Sequence, residues 1–211
     1  MLAAEARLLP PQDDNSFRVA LKTRLAVVLA KPESAKIPGM KPADLAGTWE
    51  EHTRHEFLTK DVESTLATMV EDGYVNHIPV MTGAAGKAAL REFYGRHFIP
   101  CMPPDTTLTL VARTVGENQL VDELIFSFTH TQEMPWMLPG IAPTNRRVEV
   151  PLVAVVGFCE DKVAFERVYW DQASVLQQIG LLDEARLPVF GAETARKVLA
   201  QVAGSQAAGE K

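Results

Sequence analysis

Cysteine is nearly absent from this chain. Cys101 and Cys159 are the only two in 211 residues, too few and too far apart for a disulfide framework or a zinc motif. No run of 18 apolar residues occurs, so no segment reads as a membrane span. Basic residues are the minority, 21 Lys and Arg against 27 Asp and Glu, for a formal net charge of −6. That balance gives no electrostatic footprint for a nucleic-acid backbone. GxGxxG, the Walker loop, GxSxG, HExxH and CxxC are all missing, which removes the usual markers of dinucleotide, nucleoside-triphosphate, elbow-serine and common zinc chemistry.

What is present is the composition of a globular protein, 46% hydrophobic and 23% charged. The length suits one domain with an extension. Charge marks the boundary. Residues 1–43 hold seven Lys and Arg against four Asp and Glu (+3), and residues 44–211 hold 14 against 23 (−9). Ser16 to Ala30, with Arg18, Lys22 and Arg24, reads as an amphipathic helix. Residues 31–43, with three prolines and a glycine, read as a linker. Acidic Asp13 and Asp14 ahead of the apolar run Leu25–Ala30 argue against a secretory signal, and a reducing, cytoplasmic setting is the expectation. The domain is then expected over 44–190, with a C-terminal helix or tail over 191–211.

Within the domain, helices precede strands. Leu45, Trp49, His52 and Phe57 share a helical face, predicting a helix over 44–58. Asp61 caps a second helix carrying Val62, Leu66, Met69 and Val70 inward. An extended stretch through Tyr74–Ile78 meets Pro79. Gly83 and Gly86 form a turn, and a third helix with Leu90, Phe93, Tyr94 and His97 on its stripe stops at Pro100. Four strands follow: 106–115, 120–131, 147–159 and 163–171, the last two joined as a hairpin. Residues 132–145 are a loop around Trp136 and Met137. In the last strand Phe165, Arg167, Tyr169 and Asp171 share one face, while Glu166, Val168 and Trp170 share the other. A helix over 172–182 closes the domain. Helices on one side of an antiparallel sheet make an α+β fold.

The most pointed chemistry sits in Glu166-Arg167-Val168-Tyr169-Trp170-Asp171. Asp171, at a strand end beside two aromatics, suits a general base, since apolar walls raise a carboxylate pKa. The same residue precedes a helix, where aspartate is a good cap. His130 ends an apolar strand face and is read either as a proton donor to substrate oxygen or as a core histidine. His77, beside Asn76 and before Pro79, lines a pocket mouth or fixes a turn. His52 and His55 are adjacent on a helix surface, a spacing open to a metal but lacking a third ligand; a solvated face is the plainer reading. One of Asp122 and Glu123 points inward and then needs a partner; a surface ion pair is the safer reading of either. Trp136 to Pro139 reads as an apolar lid or a dimer contact.

Tyr169-Trp170-Asp171, followed by Leu176-Gln177-Gln178-Ile179-Gly180-Leu181-Leu182, resembles the SnoaL-like group of the nuclear transport factor 2-like superfamily. Tyr74-Val75-Asn76-His77 with Pro79, then Thr82-Gly83 and Phe93-Tyr94, is similar to the early strand and third helix of that fold. More narrowly, Thr129 to Met134, Trp136 to Gly140, Ala142 to Thr144 and Tyr169 to Ser174 resemble domains that stand beside dienelactone hydrolases. Arg167 occupies a place where these cyclases commonly carry histidine. The resemblance implies a cone-shaped, curved antiparallel sheet with helices packed on one side, enclosing a pocket for a small apolar or aromatic ligand. It implies a cofactor-independent enzyme of cyclase or isomerase type, with Asp171 as general acid/base and His130 bonding the oxygen that gains charge. Tyr74, His77, Trp136, Arg167 and Tyr169 would shape the site, and the protein would be a homodimer. A non-catalytic ligand-binding or scaffold module, with Asp171 only a cap, and a hydrolase of epoxide or lactone type are the rival readings.

Overall fold

A computed structural model describes residues 44–183, 185 and 187–209, the last six as backbone. The extension and linker read over 1–43 lie outside the described residues. Helix α1 spans Leu45–Arg54 and continues through a wider π-helical turn, His55–Thr59. Asp44 starts it, accepting the Gly47 amide at 2.9 Å. Helix α2, Val62–Ala67, starts on Asp61, which accepts the Ser64 amide. Helix α3, Lys87–Glu92, likewise passes into a π turn, Phe93–Phe98. The widened turn moves the apolar stripe by one residue. Phe93, Tyr94 and Phe98 are buried, and His97, expected on the stripe, is exposed.

Six strands follow the order β2-β1-β6-β5-β4-β3. They are β1 Met69–His77, β2 Thr82–Ala85, β3 Thr107–Val115, β4 Gln119–Thr129, β5 Arg147–Cys159 and β6 Lys162–Trp170. Pairing is antiparallel except between β1 and β6, which run parallel. Met69 and Val70, expected at the end of the second helix, begin β1 instead. Thr68 ends α2 after barely two turns, and Met69 pairs with Val163 of β6. The expected turn at Gly83 is a short strand. Gly83 has φ +131 and packs so closely on the Val75 carbonyl that a Cβ would overlap it.

Alternation sets the inner face. Leu120, Asp122, Phe126 and Phe128 of β4, Val150 to Val156 at even positions of β5, and Glu166, Val168 and Trp170 of β6 are buried together. This face and the buried sides of α1 to α3 form one apolar cluster. The fold is α+β, a curved sheet closed by helices in the cone form. Helix α4, Gln172–Gln178, and helix α5, Glu193–Gly209, pack against β5. Of the helix or tail expected over 191–211, Glu193–Gly209 is helix. Among the described residues no helix is long and apolar enough to cross a membrane.

Candidate active site

Between α1, the Phe93–Phe98 turn and the inner face of β4, β5 and β6 lies a cavity of about 220 Å³. Trp49, Phe57, Phe98, Phe126 and Trp136 supply aromatic walls. Its polar lining is Thr53, Glu56, Glu166, His77, Asp122 and Arg113. An apolar cavity with a few converging polar groups is what a small-molecule site requires.

The centre of the polar group is His52, which is fully buried. Its Nε2 faces two carboxylates, Glu166 Oε1 at 3.0 Å and Glu56 Oε1 at 3.2 Å. Its Nδ1 is 2.6 Å from Thr68 Oγ1. The Thr68 hydroxyl donates its own proton to the Thr65 carbonyl at 2.7 Å. Thr68 oxygen is therefore an acceptor, and Nδ1 carries a hydrogen. Nε2, set between two carboxyl oxygens, carries one too, which makes the ring an imidazolium. Burial alone would lower the His52 pKa; the two carboxylates overcome that and raise it to about 10. Burial pushes the Glu56 carboxyl up, with His52 opposing and Glu166 adding to the rise. The Tyr94 hydroxyl donates to Glu166 at 3.0 Å, and burial beside these acids holds it protonated far above the usual tyrosine range. Trp49 stacks on the imidazole, centroids 5.4 Å apart at 14°.

A second polar group stands on the neighbouring strands. Buried Asp122 accepts from Trp49 Nε1 at 2.8 Å and from Arg113 Nε and a terminal nitrogen at 2.7 and 2.9 Å. Arg113 also binds Glu50 at 2.6 Å. The bidentate pair holds the charge of an acid that alternation forces inward. His52, Glu56 and Glu166 offer three donor atoms within 4.8 Å of one another, a set that could hold a divalent cation. The imidazolium offsets one of the two acids, and a cation would have to displace its Nε2 proton.

Of the residues expected at the site, His77 and Trp136 line the cavity and the others do not. Asp171 is exposed and caps α4, accepting the Ala173 and Ser174 amides at 2.9 and 3.2 Å. His130 is buried outside the cavity lining. Its Nδ1 accepts the Thr144 amide at 3.3 Å, so it ties down the 130–145 loop, and burial lowers its pKa. Arg167 lies on the outer face of β6, 4.2 Å over the Phe165 ring, and donates to the Tyr74 hydroxyl at 2.8 Å. Tyr169, on the same face, is exposed. The chemistry-bearing face of β6 is the Glu166–Trp170 face, because that is the face packed on the helices.

Two expectations are corrected. The solvated helix face holds for neither histidine: His52 shares the buried stripe of Leu45 and Trp49, and the His55 side chain is only 12% exposed. Asp122 is not on the surface, since it alternates with Leu120 and Phe126. The sequence signal for the missed cluster was the i, i+4 pair His52 and Glu56 on that apolar stripe.

The family model for the SnoaL-like polyketide cyclases matches residues 52–179, more than half of the chain. The chain belongs to this family. Three solved structures share the fold. One from Jannaschia sp. CCS1, described as a SnoaL-like polyketide cyclase, is 16% identical, covering 69% of this chain and 100% of its own at a TM-score of 0.53. TsrD from Streptomyces laurentii is 19% identical, covering 68% and 99% at 0.54. AclR from Streptomyces galilaeus, described as a candidate hydroxylase, is 17% identical, covering 68% and 89% at 0.52. No relative is found among curated proteins.

Proposed function

We propose that the cavity catalyses general acid–base proton transfer on a small, apolar, enolisable carbonyl compound. The observation that carries this reading is the convergence of two cavity-lining carboxylates, Glu56 and Glu166, on one buried imidazole. One carboxylate takes a proton from carbon next to the carbonyl. The same carboxyl, now carrying that proton, returns it to the opposite end of the enolate. His52 holds the cluster's charge so that a carboxylate stays ionised in an apolar setting. The step needs no cofactor, because only protons move. The acid–base role expected of Asp171 falls to Glu56 and Glu166, which reach the cavity.

The test is loss of α-protons from an enolisable two-ring ketone such as β-tetralone in deuterated water, followed by proton NMR. Wild type is expected to accelerate exchange, and Glu56→Gln or Glu166→Gln to lose roughly 10²-fold or more. Exchange that is unchanged in both variants overturns the assignment. A wild type that binds the ketone without exchanging its protons points to the ligand-binding reading instead.

A further inference from the structure

His77 is 3% exposed and stands at the end of β1, beside Val168 in register and on the cavity wall. Its ring is enclosed by aromatics: Trp136 at 5.1 Å between centroids, Phe93 at 5.7 Å, and Phe98 and Trp170 at 5.8 Å. Among the described residues the ring's one hydrogen bond is Nδ1 to Thr82 Oγ1 at 3.2 Å. The Thr82 hydroxyl is committed elsewhere, donating to the Trp136 carbonyl at 2.6 Å. Thr82 oxygen can therefore only accept from the ring, and Nδ1 carries the hydrogen. Burial holds the ring's pKa down at about 4, with Glu166 opposing, so at neutral pH that hydrogen is the only one. Nε2 is left as a bare lone pair with no hydrogen-bond partner among the described residues. On the same cavity wall, the Trp136 ring carries a buried Nε1–H that lacks a partner. A buried donor without a partner is costly, and an unpaired ring nitrogen on a cavity wall is open to a ligand.

We propose that His77 Nε2 is a recognition point for a ligand hydroxyl. The ligand class this selects is a neutral apolar ring compound that presents an O–H, phenolic or enolic, to this wall. An ether or ketone oxygen at the same place has only lone pairs, and would set them against the lone pair of Nε2. The backbone carbonyl of Trp136 thus dictates ligand choice through two hydrogen bonds: it fixes the Thr82 rotor, which fixes the His77 tautomer. This inference rests on the cavity being a ligand site, as proposed above, and not on any proton transfer within it.

The test compares β-naphthol with β-methoxynaphthalene, the same rings with the donor removed, by isothermal titration calorimetry. Wild type is expected to bind the naphthol roughly tenfold more tightly than the ether. His77→Phe is expected to bring the two within about threefold while keeping affinity for the ether. Should His77→Phe fail to fold, Thr82→Val gives the same information. It frees Nδ1 and lets the hydrogen move to Nε2, which either oxygen can accept, so the preference for the naphthol should fall to within about threefold. Imidazole nitrogen NMR reads the tautomer directly, with the Nδ1–H form expected in wild type. Equal affinities, no binding of either compound at millimolar concentration, or an Nε2–H ring in wild type overturns the proposal. A protein that prefers the naphthol but exchanges no ketone protons keeps this inference and loses only the catalytic reading.

Discussion

Charge in a low-dielectric setting decides what each side chain of this site does. His52 and His77 are both buried, and burial lowers both pKa values; their neighbours drive them apart. His77 meets mainly aromatic rings and stays neutral; His52 meets two carboxylates and is charged. The His52 pKa of about 10 in the folded chain exceeds its ordinary 6.5. The folded state therefore holds a proton that the unfolded chain releases between those values. Its contribution to stability is fully present below pH 6.5 and is lost as pH rises through 10. Urea unfolding from pH 6.5 to 10 should show stability falling by a few kcal/mol across this window. Glu166→Gln removes one counter-charge and should move the fall to lower pH. A flat profile in wild type would mean that the ring is neutral and the pairing is not ionic.

Elements were more legible than roles. The helix over 44–58, the strand at 147–159 and the β5–β6 hairpin stand close to where periodicity and turn residues place them, because amphipathic patterns and caps are local signals. The side of β6 that carries chemistry was less legible. Alternation separates Glu166, Val168 and Trp170 from Arg167, Tyr169 and Asp171, and both sets hold an acid and an aromatic. Which set faces the helices is a tertiary fact, fixed by the packing of α1 across the sheet. His52 was on the apolar stripe in the sequence, but its partner Glu166 lies 114 positions further on, beyond the reach of local spacing. The π turn at Phe93–Phe98, which exchanges His97 for Phe98, has no sequence marker here at all. Asp171 shows the consequence at the scale of a helix. As the cap of α4, its replacement by alanine should cost about 1 kcal/mol in chemical unfolding and leave ketone exchange and naphthol binding as in wild type. A loss of exchange without a loss of stability would return the acid–base role to Asp171.

For the molecule as a whole, the cavity is a region where packing has been withheld. The sheet curves around it, and Ala154, between Asp122 of β4 and Val168 of β6 in register, is among the smallest side chains lining it. A larger residue there would gain contacts that the rest of this core already has. Unfilled apolar volume costs about 24 cal/mol per Å³ in cores, so the site and the stability of the fold oppose one another. Ala154→Leu projects its added carbons into the space. It should raise the thermal midpoint by a few degrees, equivalent to about 1 kcal/mol, and abolish calorimetric binding of naphthol and methyl ether alike. That pattern differs from His77→Phe, which spares the ether, and from Asp171→Ala, which spares both ligands. If Ala154→Leu were destabilised as an overpacked core is, by 1–3 kcal/mol, with binding retained, the space beside Ala154 would not be the ligand site, and the acid–base reading built around it would fall too.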